Sequence, residues 1–183
     1  MEIMDVPTLT TQRFTMRGLI ESDAKALFPT FSSADQCRFM SQPHFEDIAT
    51  FSDWLNDKEW PGQTWIAIDR VTEEVAGRYV AFPGRDDAVL ELGYITATER
   101  QRQGVARECM TALIAHIFTM GRYRKLYMEI DAENRSSIAL AESLGFLREA
   151  YLRQHETTHN GVCDLLVYGL LIREWRQRQG EAS

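Results

Sequence analysis

Residues 100–107 combine a glycine, small side chains and three arginines at the start of a predicted helix. They follow an alternating apolar strand and precede a helical pattern of apolar residues. The first turn of a helix leaves backbone N–H groups without intrahelical partners and carries partial positive charge. Gly104 has no Cβ, so an anion can approach the main chain closely. Arg100, Arg102 and Arg107 add cationic side chains, and the stretch therefore predicts a phosphate site.

The distribution of charge also favours an anion site at this turn. Residues 100–125 contain six lysines or arginines and one acidic residue, whereas the rest of the chain contains 14 basic and 26 acidic residues. The whole chain carries a formal net charge of −7. A nucleic-acid-binding protein has a broad basic face, so that class is not expected here. The acidic remainder suits a cationic or amine-bearing acceptor.

Length and composition predict one globular domain over residues 1–183. The chain is 44% hydrophobic and 26% charged, with no secretory signal and no apolar run approaching the ~20 residues of a membrane span. Its three cysteines, Cys37, Cys109 and Cys163, lie far apart, as is typical of reduced thiols. Neither they nor the four histidines have metal-ligand spacing. We expect a cytoplasmic protein without a bound metal, either a monomer or a homodimer.

Before the turn, hydrophobic periodicity predicts strands and two helices. Ser22 and Asp23 can cap the first helix, and apolar residues from Phe45 to Lys58 predict the second. A first strand is expected at residues 8–17, and three antiparallel strands lead up to the turn, at residues 65–68, 75–82 and 88–95.

After the turn, the pattern predicts a helix, a strand, another helix and a hairpin. Apolar spacing continues from Ala106 to Met120, and residues 125–131 alternate as a strand, which gives a parallel crossover. Asn134 and Gly145 are placed to begin and end the next helix. The hairpin strands are expected at 146–156 and 162–171, joined by a type I′ turn at Asn160-Gly161, with residues 176–183 frayed.

Two motifs in these elements resemble those of the GNAT superfamily of N-acetyltransferases. The segment Gln101-x-x-Gly104-x-Ala106 is similar to the [R/Q]-x-x-G-x-[G/A] turn that cradles the pyrophosphate of coenzyme A. The segment from Asn134 to Phe146 is similar to the second block, N-x-x-S-x-x-x-x-x-x-L-G-F. With the following hairpin, these blocks look like the ribosomal-protein N-terminal acetyltransferase branch, the RimJ/RimL type.

The resemblance implies an α/β (α+β) fold with a mixed central sheet of about seven strands, flanked by helices and containing a splayed pair of parallel strands. It implies acetyl-CoA as cosubstrate and acetyl transfer to a primary amine, on a protein N-terminus or a small molecule, through a tetrahedral intermediate. The cofactor-binding residues that it implies are Tyr94, Ile95, Gln101, Arg102, Gln103, Gly104, Val105, Ala106, Arg107 and Asn134.

The resemblance leaves the catalytic acid and base open. The tyrosine that often protonates the departing thiolate is replaced by Ala141. The resemblance implies another acid, because Ser137 matches a serine that serves as the proton donor in the RimJ/RimL branch. Glu156 matches a hairpin carboxylate of that branch, while Glu91 lies on the central strand two residues before Gly93. A general base must take a proton from the amine, and we favour Glu156 over Glu91.

Two further expectations follow from the resemblance. The second predicted helix would form one wall of the acceptor site, so an aromatic residue such as Phe51 or Trp54 could touch the acceptor. The missing tyrosine at position 141 also leaves room for a different function, a non-catalytic acyl-CoA-binding sensor or scaffold.

Overall fold

The computed structural model describes residues 6–181. In chain order the elements are β1 (Leu9–Thr10), β2 (Phe14–Gly18), α1 (Asp23–Phe31), α2 (Ile48–Leu55), β3 (Gln63–Asp69), β4 (Val75–Pro83), β5 (Val89–Thr96), a 3₁₀ turn (Thr98–Arg100), α3 (Val105–Thr119), β6 (Lys125–Asp131), α4 (Arg135–Leu144), β7 (Leu147–Thr158), β8 (Gly161–Leu171) and α5 (Ile172–Glu181). The sequence-based expectations for residues 1–5 and 182–183 lie outside the described residues.

The described strands form one eight-stranded sheet in the order β1-β2-β3-β4-β5-β6-β8-β7. Neighbouring strands are antiparallel except β5 and β6, whose parallel pairing covers only Val89–Glu91 and Lys125–Tyr127. Beyond this short ladder the two strands diverge, although β5 continues to Thr96 and β6 to Asp131. The mixed fold with a splayed parallel pair is confirmed.

The sheet has one strand more than expected because the first predicted strand, residues 8–17, is a tight hairpin. The Thr11 N–H donates to the Phe14 carbonyl (2.8 Å), which reverses the chain between β1 and β2. Glu108 of α3 accepts bonds from the Thr11 hydroxyl (2.7 Å) and the Arg13 N–H (2.8 Å). This contact holds the hairpin against the start of α3, and sequence periodicity cannot reveal it.

Helices cover both faces of the sheet. Trp65 and Ala67 of β3 belong to a hydrophobic cluster with α3, whereas Ile66 belongs to a second cluster with α1 and α2. Because successive strand residues point to opposite faces, the two clusters form separate layers. Cys109 and Cys37 pack within these clusters as free thiols.

The first two helices start differently from the sequence-based expectation. Ser22 occupies the N-cap of α1 but makes no side-chain cap bond within the described chain, and Asp23 instead pairs with Arg17 (2.7 Å). Helix α2 begins after Asp47, whose carboxylate accepts the Thr50 N–H (2.8 Å), and ends at Leu55, so it is shorter than predicted. Among residues 6–181, no helix is both long and apolar enough to cross a membrane.

Two expectations for the tail are wrong. His159 and Asn160 form a two-residue loop between Thr158 and Gly161, and neither has the positive φ that a type I′ turn requires; Gly161 has φ 105°. Residues 176–181 are helical in α5 rather than frayed. Trp175 anchors that helix by packing against Phe118 of α3, with ring centroids 5.5 Å apart.

Candidate active site

The turn before α3 presents an open backbone at the helix N-terminus. Gly104 is the N-cap residue and has φ 77°, a left-handed conformation that favours glycine. A Cβ at this position would have only the Arg13 guanidinium within 4 Å among the described residues, at 3.6 Å. The left-handed backbone and the open approach together fit an anion held by N–H groups of the first turn.

The cations around this turn differ from those expected. Arg100 is bound to Asp69 (3.2 Å) and Glu74 (2.5 Å), so its charge is already paired away from the turn. Arg102 and Arg107 are exposed at the turn, and their predicted role at the phosphates stays a prediction. Arg13, which the sequence analysis missed, donates to the Gln103 carbonyl (3.0 Å) from the neighbouring hairpin. No local pattern could have revealed it.

Several side chains of the turn that were predicted to bind the cofactor instead form hydrogen bonds or pack within the protein. The Gln101 side chain donates to Gln36 and lies 3.4 Å from the Thr96 carbonyl, and the Gln103 side chain donates to the Glu99 carbonyl (2.9 Å). Val105 is 2% exposed and belongs to the core. The side chains of these three residues shape the turn. The Gln101 N–H donates to the Thr98 carbonyl (3.4 Å), so among these three the backbone N–H groups that can meet a ligand are those of Gln103 and Val105.

A cleft of about 400 Å³ opens where β5 and β6 separate. It brings together predicted site residues from β5, from the start of α4 and from β7. Other residues that line the cleft come from β4, β6 and the region of α2. The predicted site residues that line it are Glu91, Tyr94, Ile95, Asn134, Ser137 and Glu156.

Tyr94 and Ser137 meet across the cleft. Their hydroxyl oxygens lie 2.9 Å apart, the Ser137 N–H donates to Asn134 Oδ1 (3.1 Å), and the Tyr94 ring stacks on Tyr79 with centroids 6.4 Å apart. Burial raises the pKa of Tyr94, so its phenol stays protonated at neutral pH. A phenol therefore lies beside α4, although position 141 itself is a fully buried alanine.

Glu91 has the properties of a proton acceptor. Burial raises its pKa to about 7, and the charges of Glu129 and Glu156 act in the same direction. The Tyr127 hydroxyl donates to its carboxylate (2.8 Å), which partly opposes that rise by stabilising the charged form. A carboxyl group that titrates near neutral pH is suited to general base catalysis.

Glu156 also lines the cleft, and it pairs with Cys163 in the part of the β7–β8 ladder that runs without interruption from the hairpin loop. The β7–β8 pairing shifts between Leu152 and Glu156, where Gln154 has φ 49° and its N–H donates to Asp164 (2.7 Å). This bulge lies before Glu156, so the hairpin loop still sets the register of Glu156, through consecutive pairs from Thr158–Gly161 to Glu156–Cys163. Both candidate bases therefore line the cleft, and the raised pKa of Glu91, about 7, makes Glu91 the stronger candidate.

The acceptor wall contains one of the two expected aromatic residues and one unexpected cation. Phe51 is fully buried in the core, whereas Trp54 lines the cleft. Arg78 of β4 also lines the cleft, with its guanidinium carbon 5.1 Å from the Trp54 ring centroid. The sequence does carry a signal for Arg78, because it is a charged residue inside an otherwise apolar strand.

Comparison with known proteins agrees with this geometry. Residues 13–147 match the family model described as an acetyltransferase (GNAT) domain. An uncharacterized N-acetyltransferase, p20 of Bacillus licheniformis, is 29% identical over 174 residues, covering 92% of this chain and 98% of the relative. A ribosomal-protein-serine acetyltransferase of Escherichia coli is 29% identical over 82 residues, or 45% of this chain and 46% of the relative.

The fold is also that of a solved relative of the expected branch. The structure of RimL, a ribosomal L7/L12 alpha-N-protein acetyltransferase, in complex with coenzyme A superposes with a TM-score of 0.80 and 18% identity, covering 92% of this chain and 99% of that one. The family match extends over most of the chain and includes the splayed strands and the turn before α3. This chain therefore belongs to the GNAT family and is an N-acetyltransferase.

Proposed function

We propose that this protein transfers an acetyl group from acetyl-CoA to a primary amine, on a small molecule or a protein N-terminus. The observation that supports this most strongly is that one cleft is lined both by Glu91, a carboxyl group with a pKa of about 7, and by Tyr94, a phenol that is protonated at neutral pH. An amine must lose a proton before it attacks, and the departing thiolate must gain one. The cleft holds a group suited to each task.

The cosubstrate would lie between the turn before α3 and the gap between β5 and β6. Backbone N–H groups from Arg102 to Ala106 would hold its pyrophosphate, because Gly104 leaves their approach open. Asn134 would bond the pantetheine arm. Acetyl-CoA supplies an acetyl group activated as a thioester.

The edge of β5 that faces the gap is suited to stabilise developing negative charge. The pairing with β6 ends at Glu91, so within the described sheet the residues from Leu92 to Thr96 have no β6 partner on that side. Main-chain groups near Ile95 would hold the thioester carbonyl and stabilise the oxyanion that forms during attack.

Glu91 would take a proton from the acceptor amine, either directly or through water. The Tyr94–Ser137 pair would return a proton to the thiolate, with Tyr94 supplying the phenol that position 141 lacks. This arrangement supports an enzyme over the alternative sensor or scaffold, whose main argument was that missing phenol.

Replacing Tyr94 with phenylalanine should lower kcat by about 100-fold, the lower end of the range for general acid catalysis. The ring still stacks on Tyr79, whereas the hydroxyl that reaches Ser137 is lost. Single-turnover kinetics with saturating acetyl-CoA would measure the chemical step. Ser137→Ala is the companion variant: a larger loss there than in Tyr94→Phe would make Ser137, instead of Tyr94, the final proton donor.

The pH dependence of kcat should follow the protonation of Glu91. Activity should rise with pH through about 7, because the carboxyl group must be ionised to accept a proton. Glu129→Gln removes a charge that raises the pKa of Glu91 and should move the acid limb of the profile to lower pH. Tyr127→Phe removes a bond that lowers this pKa and should move the limb to higher pH. Shifts of the same sign in both variants would show that another group controls the limb.

The proposed activity is tested by following free thiol release when the protein is mixed with acetyl-CoA and a panel of amines. Mass spectrometry of the acceptor should show the added acetyl group, and omission of the amine should leave only slow hydrolysis. Tight binding of acetyl-CoA without thiol release from any small amine or N-terminal peptide would favour the sensor or scaffold function instead.

A further inference from the structure

Arg78 lies on the acceptor side of the cleft, away from the turn that would hold the cosubstrate phosphates. In the β4–β5 ladder Arg78 pairs with Ile95, and Phe82 pairs with Glu91. Alternate residues share a face, so Arg78 and Glu91 lie on the same face of the sheet, one near each end of the gap. Both side chains line the cleft.

The surroundings of Arg78 are aromatic and leave part of its guanidinium unbonded. Its central carbon lies 5.1 Å from the Trp54 ring centroid and 5.3 Å from that of Trp60. The buried Nε has no hydrogen-bond partner within residues 6–181, and Nη2 reaches only the Thr64 hydroxyl at 3.4 Å. The ion pairs of the described chain do not include Arg78.

A buried cation without a carboxylate partner destabilises a protein unless another molecule completes the site. Burial lowers the pKa of Arg78 to about 10, so the side chain still carries its charge at neutral pH. A guanidinium offers donors in a planar fork that matches the two oxygens of a carboxylate. The two aromatic rings beside Arg78 restrict the positions that this fork can take.

We infer that the acetyl acceptor carries a carboxylate, which Arg78 binds between Trp54 and Trp60 while the amine of the same molecule lies near Gly93. This inference rests on the proposed acetyl transfer and specifies its acceptor. The acceptor would be an amino acid or a peptide with an acidic group near its N-terminus, because both carry an amine and a carboxylate in the same molecule.

The charges along the cleft match such an acceptor. Glu91, Glu129 and Glu156 line the end that would receive the amine, and Arg78 lies towards the opposite end. Glu91 is four residues from Ile95, the partner of Arg78, which is about 13 Å along a strand. Asp57 also lines the cleft, but its carboxylate accepts the Glu59 N–H (2.9 Å) within its own loop.

Trp60 is held at the cleft by its contact with Gly62. A Cβ at Gly62 would fall 2.3 Å from the Trp60 ring, so this wall of the Arg78 site depends on a residue without a side chain. Trp60 also packs against Phe82, with ring centroids 5.9 Å apart. The two contacts fix one of the rings that confine the guanidinium.

The inference is tested with pairs of acceptors that differ only in charge. Glycine, 4-aminobutyrate and 6-aminohexanoate would each be compared with the corresponding amide, and a peptide with aspartate at its second position with the asparagine form. The parent should prefer at least one acid over its amide by roughly 30-fold in kcat/KM, the value of a charge-assisted hydrogen bond. The free amino acids and the peptides then distinguish the two sources of the carboxylate.

Arg78→Met should reduce the ratio of kcat/KM for the acid to kcat/KM for the amide to nearly one, mainly through a higher KM for the acid. Arg122→Met is the matched control, because Arg122 also lies over an aromatic ring, that of Tyr123 at 5.4 Å, but is exposed outside the cleft. The control should keep the full preference. The thermal midpoint of Arg78→Met should equal or exceed that of the parent, since the change removes a partly buried charge that has no carboxylate partner within residues 6–181.

Failure of the inference is distinguishable from failure of the proposed function. Acetylation of the amides or of spermidine as efficiently as of the acids would overturn the inference while acetyl transfer stood. Calorimetric titration of the acids into the protein with coenzyme A gives a second readout that needs no turnover. Equal binding to the parent and to Arg78→Met, or a midpoint several degrees lower in the variant, would show that Arg78 is only structural.

Discussion

Replacement of Glu91 by glutamine should lower kcat by about 10²–10⁴-fold, the usual effect of removing a general base. Glutamine keeps the size of the side chain and can still accept the hydrogen bond from Tyr127, so the fold should be retained. The amide cannot accept a proton from the amine. The same change at Glu156 should lower kcat less than tenfold, because that residue acts on Glu91 through its charge.

The comparison requires saturating acetyl-CoA and a cofactor titration of each variant, so that a binding defect is not read as a chemical one. The Glu91→Gln profile should also lose the acid limb near pH 7 and keep only the rise due to the acceptor amine. A hundredfold loss in Glu156→Gln beside near-normal Glu91→Gln would restore the original assignment of the base. If kcat falls less than tenfold in both variants, a water chain or His155 would become the candidate for the general base.

The central part of the fold could be predicted from the sequence because its pattern is local. The strand predicted at residues 125–131 has those bounds, and the helix after the turn runs from Val105 to Thr119, close to the predicted span. Periods of 2 and 3.6 residues report which face of an element is buried without knowledge of its neighbours. The crossover between them then places β5 and β6 side by side.

The arrangement of the site could be predicted less well because its contacts join distant parts of the chain. Glu91 could be selected by its place on β5, but its raised pKa depends on burial in the folded cleft and on Glu129 of β6. Tyr94 could be assigned to the cofactor region, yet its bond to Ser137 depends on the gap between two strands. Periodicity gives the face on which a residue lies and does not give its partner.

The partners of charged residues also could not be predicted from the sequence pattern. Arg100 immediately precedes the motif and was expected at the phosphates, but Asp69 at the end of β3 and Glu74 of the β3–β4 turn bind it. Arg13 lies far from the motif in sequence and next to it in space. Arg78 interrupts an apolar strand, which signals a special role, although only the structure places it between Trp54 and Trp60.

Replacement of Gly104 by valine should weaken coenzyme A binding by about 100-fold, which is roughly 2.7 kcal/mol. The side chain would occupy the open space over the first turn of α3, where the pyrophosphate would accept several charge-assisted bonds, each contributing about 1.5–3 kcal/mol. The structure adds a second effect that the sequence did not show. Gly104 has φ 77°, so any β-branched residue there also strains the backbone.

A variant at Gly121 separates these two effects. Gly121 follows the other end of α3 with φ 71°, and a Cβ there would have no described atom within 4 Å. Gly121→Val should therefore lower the thermal midpoint about as much as Gly104→Val, since a left-handed conformation costs an L-residue roughly 1–2 kcal/mol. Calorimetric titration below both midpoints should show weakened coenzyme A binding only for Gly104→Val. Equal losses of coenzyme A affinity in the two variants would assign the effect to backbone strain. Parental affinity in a folded Gly104→Val would mean that the pyrophosphate binds elsewhere.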